Sequence, residues 1–189
     1  SDRYLLEQRP HSVLFGMLVE GFLTGAQTGV LYIRNEYPAA IRNTEKAIAE
    51  FDALNIKAAD WQFRFKIIKG AGAYICGEET SLLRSIEGQR PLVSVRPPFP
   101  TQSGLFGCPT VVNNVETFAS IHWILDDGVE KYRAMGNGKS TGSKLISLDG
   151  SFNKPGIYEV AMGTPLADVF ERAGGYAREL KALHIGGPL

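Results

Sequence analysis

The chain has 189 residues, enough for one or two domains, and its 44% hydrophobic and 21% charged residues are ordinary for a globular protein. Its formal net charge is zero, which argues against nucleic acid or an acidic membrane surface as the main partner. No apolar run is long enough to insert into a bilayer. The two cysteines, Cys76 and Cys108, lack metal-site or disulfide spacing, which suits a reducing compartment.

The N-terminal segment predicts one helix, preceded by eight residues without a clear pattern. Pro10 has the position of a first-turn proline, and apolar residues recur at helical spacing from Leu14 to Phe22. Gly25 or Gly29 is expected to end this helix, because glycine readily adopts the left-handed conformation found at helix C-termini.

The next three elements predict a strand–helix–strand unit. Residues 30–35 and 63–68 are apolar runs typical of strands, and residues 41–54 between them place apolar side chains on one helical face. Strands joined in this way are parallel, with a right-handed crossover. Gly70 therefore lies at the carboxyl end of a strand, the edge where open α/β sheets bind ligands.

The glycine-rich stretch Gly70–Thr80 joins the second strand to a further helix. Its G-x-G-x-x-x-x-G spacing fits neither the dinucleotide fingerprint nor the Walker A loop. Glu78 and Glu79 repel phosphate at this position, but they suit hydroxyl or amide donors such as a ribose diol or a flavin edge. Spacing alone favours the simpler interpretation, in which both acids stabilise a helix N-terminus.

Residues 87–110 have neither helical nor strand periodicity, and a loop of this length in a compact domain is usually functional. Phe99 lies between prolines on stiff backbone. Its ring is expected either to bind a ligand or to fill the core beneath the loop. Arg90 and Arg96 are expected to face phosphates or solvent.

A helix is expected to follow, with Phe118, Ile121 and Leu125 on its buried face. Asn113 followed by Glu116 resembles a capping box, so Asn113 has a structural explanation. Asn114 does not need that explanation, and a pair of amides at a helix start also suits a ligand carbonyl or phosphate.

The flexible segment Gly136–Gly142 is the expected domain boundary. The tail beyond it predicts a small β-grasp module, and both chain ends are expected to be cut. The predicted elements are a strand at 144–149, a strand at 157–160, a helix capped by Thr164 with Pro165 in its first turn, and a strand at 183–185.

Several spaced blocks together resemble the NADH-binding flavoprotein subunit of respiratory complex I, and the related diaphorase subunits of NAD-linked hydrogenases and formate dehydrogenases. The blocks are Gly70–Leu83, Ser85–Gly88, Pro97–Pro100 and Gly107–Thr117, and the tail segment Asn153–Tyr158 is similar to the soluble-ligand-binding β-grasp domain of the same family. Several blocks in one order are far more specific than a single loop.

The resemblance implies an α/β fold: an incomplete Rossmann-like FMN/NADH-binding domain at residues 1–139, followed by a β-grasp module at 143–189. It implies an NADH:acceptor oxidoreductase that passes hydride from NADH to FMN and electrons to iron–sulfur clusters. The [4Fe–4S] ligands lie outside this chain, and both cysteines are interpreted as buried hydrophobes. The implied partners are other iron–sulfur subunits, and the implied location is the cytoplasm or, through those subunits, the cytoplasmic face of the membrane.

The resemblance also implies roles for individual residues, none of them an acid or base, because the flavin carries the chemistry. The flavin and nicotinamide are expected against one group, the flavin and its phosphate end against a second, and the NADH adenosine against a third. The first group is Tyr74, Gly77, Glu78 and Glu79. The second group is Val112, Asn113, Asn114 and Thr117. In the third group, Phe99 is expected on the adenine and Glu79 near the ribose.

The chain departs from the family at one point, because nothing before Gly70 resembles the earlier glycine-rich loop that completes the flavin cradle. We therefore expect weak flavin binding by this piece alone. A non-catalytic scaffold that binds a partner or solute through the β-grasp module is the alternative. A subunit of the ion-pumping ferredoxin:NAD type is a third hypothesis, disfavoured by the 77–80 and 113–117 blocks.

Overall fold

The computed structural model describes residues 1–71 and 73–186. The chain divides into two compact units, the first spanning Asp2–His122 and the second beginning at Trp123. Because the chain divides in this way, each unit is described by itself.

The first unit contains four helices, four strands and the start of a fifth helix. Its elements are α1 (Asp2–Gln8), α2 (Pro10–Thr24), β1 (Thr28–Arg34), α3 (Pro38–Ala53), β2 (Lys57–Ala58), β3 (Trp61–Gln62), β4 (Arg64–Gly70), α4 (Glu79–Ile86) and α5 (Val115–Asp127), with 3₁₀ turns at Tyr74–Gly77 and Leu105–Gly107. Helix α1 was not expected, because seven residues are too few to reveal a helical period. Leu5 and Leu6 are nevertheless buried.

Strands β1 and β4 pair in parallel, from Thr28 opposite Arg64 to Arg34 opposite Gly70. This confirms the predicted strand–helix–strand unit, and it places Gly70 at the carboxyl end of β4. Strands β2 and β3 form a short antiparallel pair just before β4.

The core of the first unit lies where α2 and α3 bury apolar side chains, with Leu14 on α2 and Ala40 on α3 fully buried. Helix α2 ends at Gly25, whose φ of 75° confirms the predicted left-handed stop.

Leu54, expected on the buried face of α3, is instead the residue after the helix and is 67% exposed. Leu125 of α5, also expected to be buried, is 57% exposed.

In the described residues that follow α5, the second unit contains two antiparallel strand pairs and two helices. Its elements are α6 (Val129–Ala134), β5 (Gly136–Asn137), β6 (Ser140–Thr141), β7 (Ser143–Leu148), β8 (Gly156–Ala161) and α7 (Leu166–Arg172). Strand β7 pairs with β8 from Ser143 opposite Ala161 to Leu148 opposite Gly156, as the predicted hairpin requires.

A small core holds this second unit together. It consists of Leu148, Phe152, Val160, Val169 and Ala173, with Ile146, Tyr158 and Phe170 packed against it. The hydrophobic side chains of two strands and one helix therefore meet in one cluster, as a layered α/β arrangement requires.

Two predictions in the second unit were wrong. Pro165, not Thr164, is the residue before α7, and Thr164 Oγ1 donates to the Ala161 carbonyl instead. Residues 183–185 form no strand in the described structure. Leu183 and Ile185 are 42% and 63% exposed, so the apolar side chains behind that prediction are not buried.

No helix in the described part of the chain is both long and apolar enough to cross a membrane.

Candidate functional site

The site begins at Gly70, where β4 ends. A Cβ built on Gly70 would lie 2.6 Å from Tyr32 Cε1, so the Tyr32 ring on β1 requires glycine at this position. Tyr32 Oη lies 2.9 Å from Ser85 Oγ on α4. Burial raises the pKa of Tyr32, although the Ser85 hydrogen bond acts against it. Tyr32 thereby links β1, β4 and α4 beneath the loop. Gly72, part of the predicted glycine pattern, lies outside the described residues.

The 3₁₀ turn Tyr74–Gly77 presents an open surface. Tyr74 is exposed, whereas Cys76, two residues further along the turn, is buried, as expected for that cysteine. A Cβ built on Gly77 would meet none of the described atoms within 4 Å. Packing among those residues therefore leaves room for a side chain at 77, and this space also suits a flat ligand lying against the backbone.

Glu78 is the N-cap of α4. Its Oε2 accepts hydrogen bonds from the Ser81 amide at 3.0 Å and from Thr80 Oγ1 at 2.5 Å. Burial acts to raise the pKa of Glu78, but these hydrogen bonds and the Arg96 charge outweigh it and hold the pKa below the usual value. This carboxylate is therefore ionised and held in place by the helix it starts.

Glu79 is the first residue of α4, and Arg96 joins it to Glu78. Arg96 Nη1 lies 2.5 Å from Glu79 Oε1, and Nη2 lies 3.3 Å from Glu78 Oε1. Arg96 is therefore paired with two carboxylates, whereas the sequence predicted that it would face phosphates or solvent.

The segment 89–96 runs back along α4. Arg84 Nε donates to the Arg90 carbonyl at 3.2 Å, and the Ser94 amide donates to Thr80 Oγ1 at 2.9 Å. The segment therefore passes from the C-terminal end of the helix to its N-terminal end. This path brings Arg96 to the glutamates.

Phe99 follows directly, and the residue is 50% exposed. Its ring therefore does not fill the core, and binding of a ligand by this ring stays a prediction. The Phe99 amide donates to Gln102 Oε1 at 3.1 Å, which fixes the turn that presents the ring.

The paired asparagines make different contacts from those predicted. Asn114, not Asn113, caps α5, because Asn114 Oδ1 accepts from the Glu116 amide at 2.9 Å. Asn113 Nδ2 instead donates to both carboxylate oxygens of Glu20 on α2, at 3.1 and 2.9 Å. Asn114 Nδ2 donates to Asp2 Oδ2 on α1 at 2.9 Å.

The predicted site residues thus fall into two groups. Tyr74, Gly77, Glu78 and Glu79 lie together around the start of α4, with Phe99 on the segment that follows Arg96. Val112, Asn113, Asn114 and Thr117 lie together at the start of α5, where Thr117 is exposed and Val112 partly buried. Within the described part of the chain no hydrogen bond joins the asparagines to Glu78 or Glu79, so convergence of the groups on one cleft stays a prediction.

Sequence reasoning missed several residues that shape the site. Tyr32 lies in no motif, and Ser85 lies in the Ser85–Gly88 block but was given no role. The contacts of Asp2 and Glu20 with the asparagines cross 112 and 93 positions of sequence, respectively. Cys108, expected to be buried, is exposed. No group of three or more His, Cys, Asp or Glu side chains suited to a metal ion occurs in the described ranges.

The chain belongs to the family described as the Nuo51 FMN-binding domain, whose model matches residues 1–123. A second family model, the SLBB domain, matches residues 145–188. The fold is therefore an FMN-binding-type α/β domain followed by a β-grasp-like module, as the sequence predicted.

Its relatives are subunits of larger enzymes. The chain is 44% identical to an NADH-quinone oxidoreductase subunit of Rhizobium meliloti, covering 98% of this chain and 46% of the relative. It is also 44% identical to the NADP-reducing hydrogenase subunit HndC of Solidesulfovibrio fructosivorans, covering 99% and 40%. The chain thus spans less than half the length of these relatives.

A solved structure shares the fold. The NAD⁺-reducing [NiFe]-hydrogenase in its H₂-reduced state superposes with a TM-score of 0.86 at 38% identity, over 93% of this chain and 30% of the other.

Proposed function

We propose that this chain is part of an NADH:acceptor oxidoreductase flavoprotein, in which hydride passes from NADH to FMN and electrons continue to iron–sulfur clusters. The observation that carries the proposal is the open turn at Gly77, which lies beside an acidic helix start in a chain of an FMN-binding family. Bound FMN supplies the hydride and electron chemistry. The protein's own residues bind and orient the two ligands.

The residues present fit these ligands. Tyr74, at 67% exposure, and Phe99, at 50%, offer aromatic surfaces for stacking flat rings. Glu79 at the start of α4 suits the hydroxyls of a ribose diol. We assign Tyr74, Gly77 and Glu79 to contact with the flavin and nicotinamide, and Phe99 with Glu79 to the adenosine of NADH. Glu78 lies beside the same ligands in this proposal but offers them no carboxylate oxygen, because both of its oxygens have protein partners.

We assign the flavin and its phosphate end to the α5 group, Val112, Asn113, Asn114 and Thr117. The amides of Asn113 and Asn114 donate to carboxylates in this structure, so donation to a phosphate requires these contacts to exchange. We further propose domain limits of 1–139 and 143–189, and cytoplasmic placement with membrane contact only through partner subunits that carry iron–sulfur clusters.

The test is a glycine substitution in the full-length flavoprotein. Gly77→Ala places a methyl group in the open space above the turn, so we expect it to lower the FMN content of the purified protein and to slow flavin bleaching by NADH. Gly150→Ala is the matched control, because a Cβ at Gly150 also meets no described atom within 4 Å and the residue lies in the other unit. Full FMN content and unchanged bleaching in Gly77→Ala would contradict the placement of flavin against this turn.

A further inference from the structure

Arg96 holds two carboxylates at once. Its two terminal nitrogens each contact a different glutamate, at 2.5 Å for Glu79 and 3.3 Å for Glu78. The planar guanidinium fork suits this arrangement, whereas a lysine ammonium is a single point charge. The Arg96 side chain is 39% exposed, so its charge is only partly screened by water.

The two glutamates are not equivalent. Both oxygens of Glu78 are engaged inside the protein, Oε2 by Thr80 and Ser81 and Oε1 by Arg96. Glu79 uses Oε1 for Arg96, and its Oε2 has no hydrogen-bond partner within the described ranges. Glu79 is therefore the glutamate with an oxygen available to a ligand.

The position of Arg96 is itself fixed by α4. Thr80 Oγ1 donates to Glu78 and accepts from the Ser94 amide, two residues before Arg96. The chain segment that carries Arg96 is thus tied to the same helix start as the glutamates, and the ion pairs are part of one connected network.

We propose that Arg96 is a positioning and specificity-determining residue for the nucleotide, an inference that rests on the proposed function. Arg96 holds one oxygen of Glu79, which keeps the other directed to the ribose diol. Its positive charge also offsets part of the repulsion that Glu79 exerts on a 2′-phosphate. The chain therefore discriminates less strictly between NAD and NADP than an unpaired glutamate would.

The experiment measures binding of NAD⁺ and NADP⁺ to the oxidised full-length flavoprotein by calorimetry, so that no turnover is needed. In Arg96→Gln, NAD⁺ binding is expected to weaken severalfold because Glu79 is no longer held. NADP⁺ binding is expected to weaken by a further factor of roughly three to ten, the effect of losing a unit charge near a phosphate at a partly exposed site. This extra loss shrinks at high ionic strength, because exposed charges are screened.

Two variants separate charge from geometry. Arg96→Lys keeps the charge but not the fork, so the ratio of NADP⁺ to NAD⁺ affinity should stay near that of the wild type while NAD⁺ binding stays weakened. Arg90→Gln is the charge-matched control, because Arg90 is an exposed arginine of the same segment and its hydrogen bond with Arg84 of α4 is made by the backbone carbonyl, which the substitution keeps. It should change neither affinity.

An unchanged affinity ratio in Arg96→Gln, or a ratio shifted towards NADP⁺, overturns the inference while the proposed function stands. If the wild-type flavoprotein binds neither nucleotide, both fail. Thermal melting of each variant shows whether the fold is kept, and should Arg96→Gln not fold, a shifted ratio in Arg96→Lys overturns the inference by itself.

Discussion

At the scale of single residues, Glu78 and Glu79 show how backbone position separates two identical side chains. Glu78 is extended, with φ −84° and ψ 136°, and its carboxylate folds back onto the Ser81 amide as an N-cap. Glu79 is the first helical residue, and its carboxylate accepts from Arg96 Nη1. The simpler interpretation of the acidic pair thus describes Glu78, while a ligand role for Glu79 stays a prediction.

Glu79→Gln should raise the use of NADPH relative to NADH. The amide still accepts a hydrogen bond but no longer repels a 2′-phosphate, so we expect roughly a tenfold gain in the ratio of the two kcat/KM values, or about 1.4 kcal/mol. Steady-state kinetics of the full-length flavoprotein measures it. Glu45→Gln, an exposed glutamate of α3 paired with Lys69, is the control. NADPH turnover that stays at background would show that the role of Glu79 is wrong.

Glu78→Gln should reduce stability in a pH-dependent manner. The folded-state pKa of Glu78 lies below its ordinary value of 4.5, so its stabilisation is complete above 4.5 and is lost as the pH falls through the folded-state pKa. We expect a loss of about 1 kcal/mol at neutral pH, typical of a weakened N-cap, and a smaller loss in acid.

Denaturant unfolding at a series of pH values measures this difference. Glu130→Gln is the control, because the Glu130 side chain is 88% exposed. An equal loss at neutral and acidic pH would exclude the ionised cap as the cause.

At the scale of elements, the start of α5 depends on Asn114. Asn114→Ala removes the oxygen that accepts from the Glu116 amide, so we expect a loss of about 1 kcal/mol in the free energy of unfolding. Asn113→Ala is the matched neighbour. It removes only an exposed contact with Glu20, so its loss should be smaller. Chemical denaturation compares them, and the reverse order would favour the cap at Asn113 that the sequence suggested.

Elements with a long, regular pattern were the ones predicted correctly. Strands β1 and β4 and helix α2 have apolar runs or periods that fix their type, and Gly25 marks a stop by its backbone freedom. Short segments were predicted less well. Helix α1, with seven residues, was missed, and residues 183–185 have the composition of a strand but form none. A strand needs a neighbour for its backbone hydrogen bonds, and no local pattern shows whether that neighbour is present.

At the scale of the whole molecule, the chain covers 46% of its Rhizobium relative, and no block before Gly70 resembles the glycine-rich loop that the family resemblance implies for the rest of the flavin cradle. We predict that the 189-residue chain binds FMN far more weakly than the full-length flavoprotein. The physical reason is that the residues assigned here are expected to contact only part of the flavin, and fewer contacts give a weaker binding free energy. Fluorescence titration of FMN with each protein measures the difference, and equal affinities would show that the cradle is complete within this chain.

The sequence by itself determined the family, the parallel strand–helix–strand unit and the glycine turn at the carboxyl end of β4, because these depend on local patterns and on spaced motifs. Only the tertiary structure decided which asparagine caps α5, which side chains Arg96 contacts and which ring excludes a side chain at Gly70. Those outcomes depend on contacts between residues far apart in the chain, such as Asn113 with Glu20 and Gly70 with Tyr32. A side chain that has two chemically adequate partners takes the one that packing places within reach, and packing is a property of the folded chain.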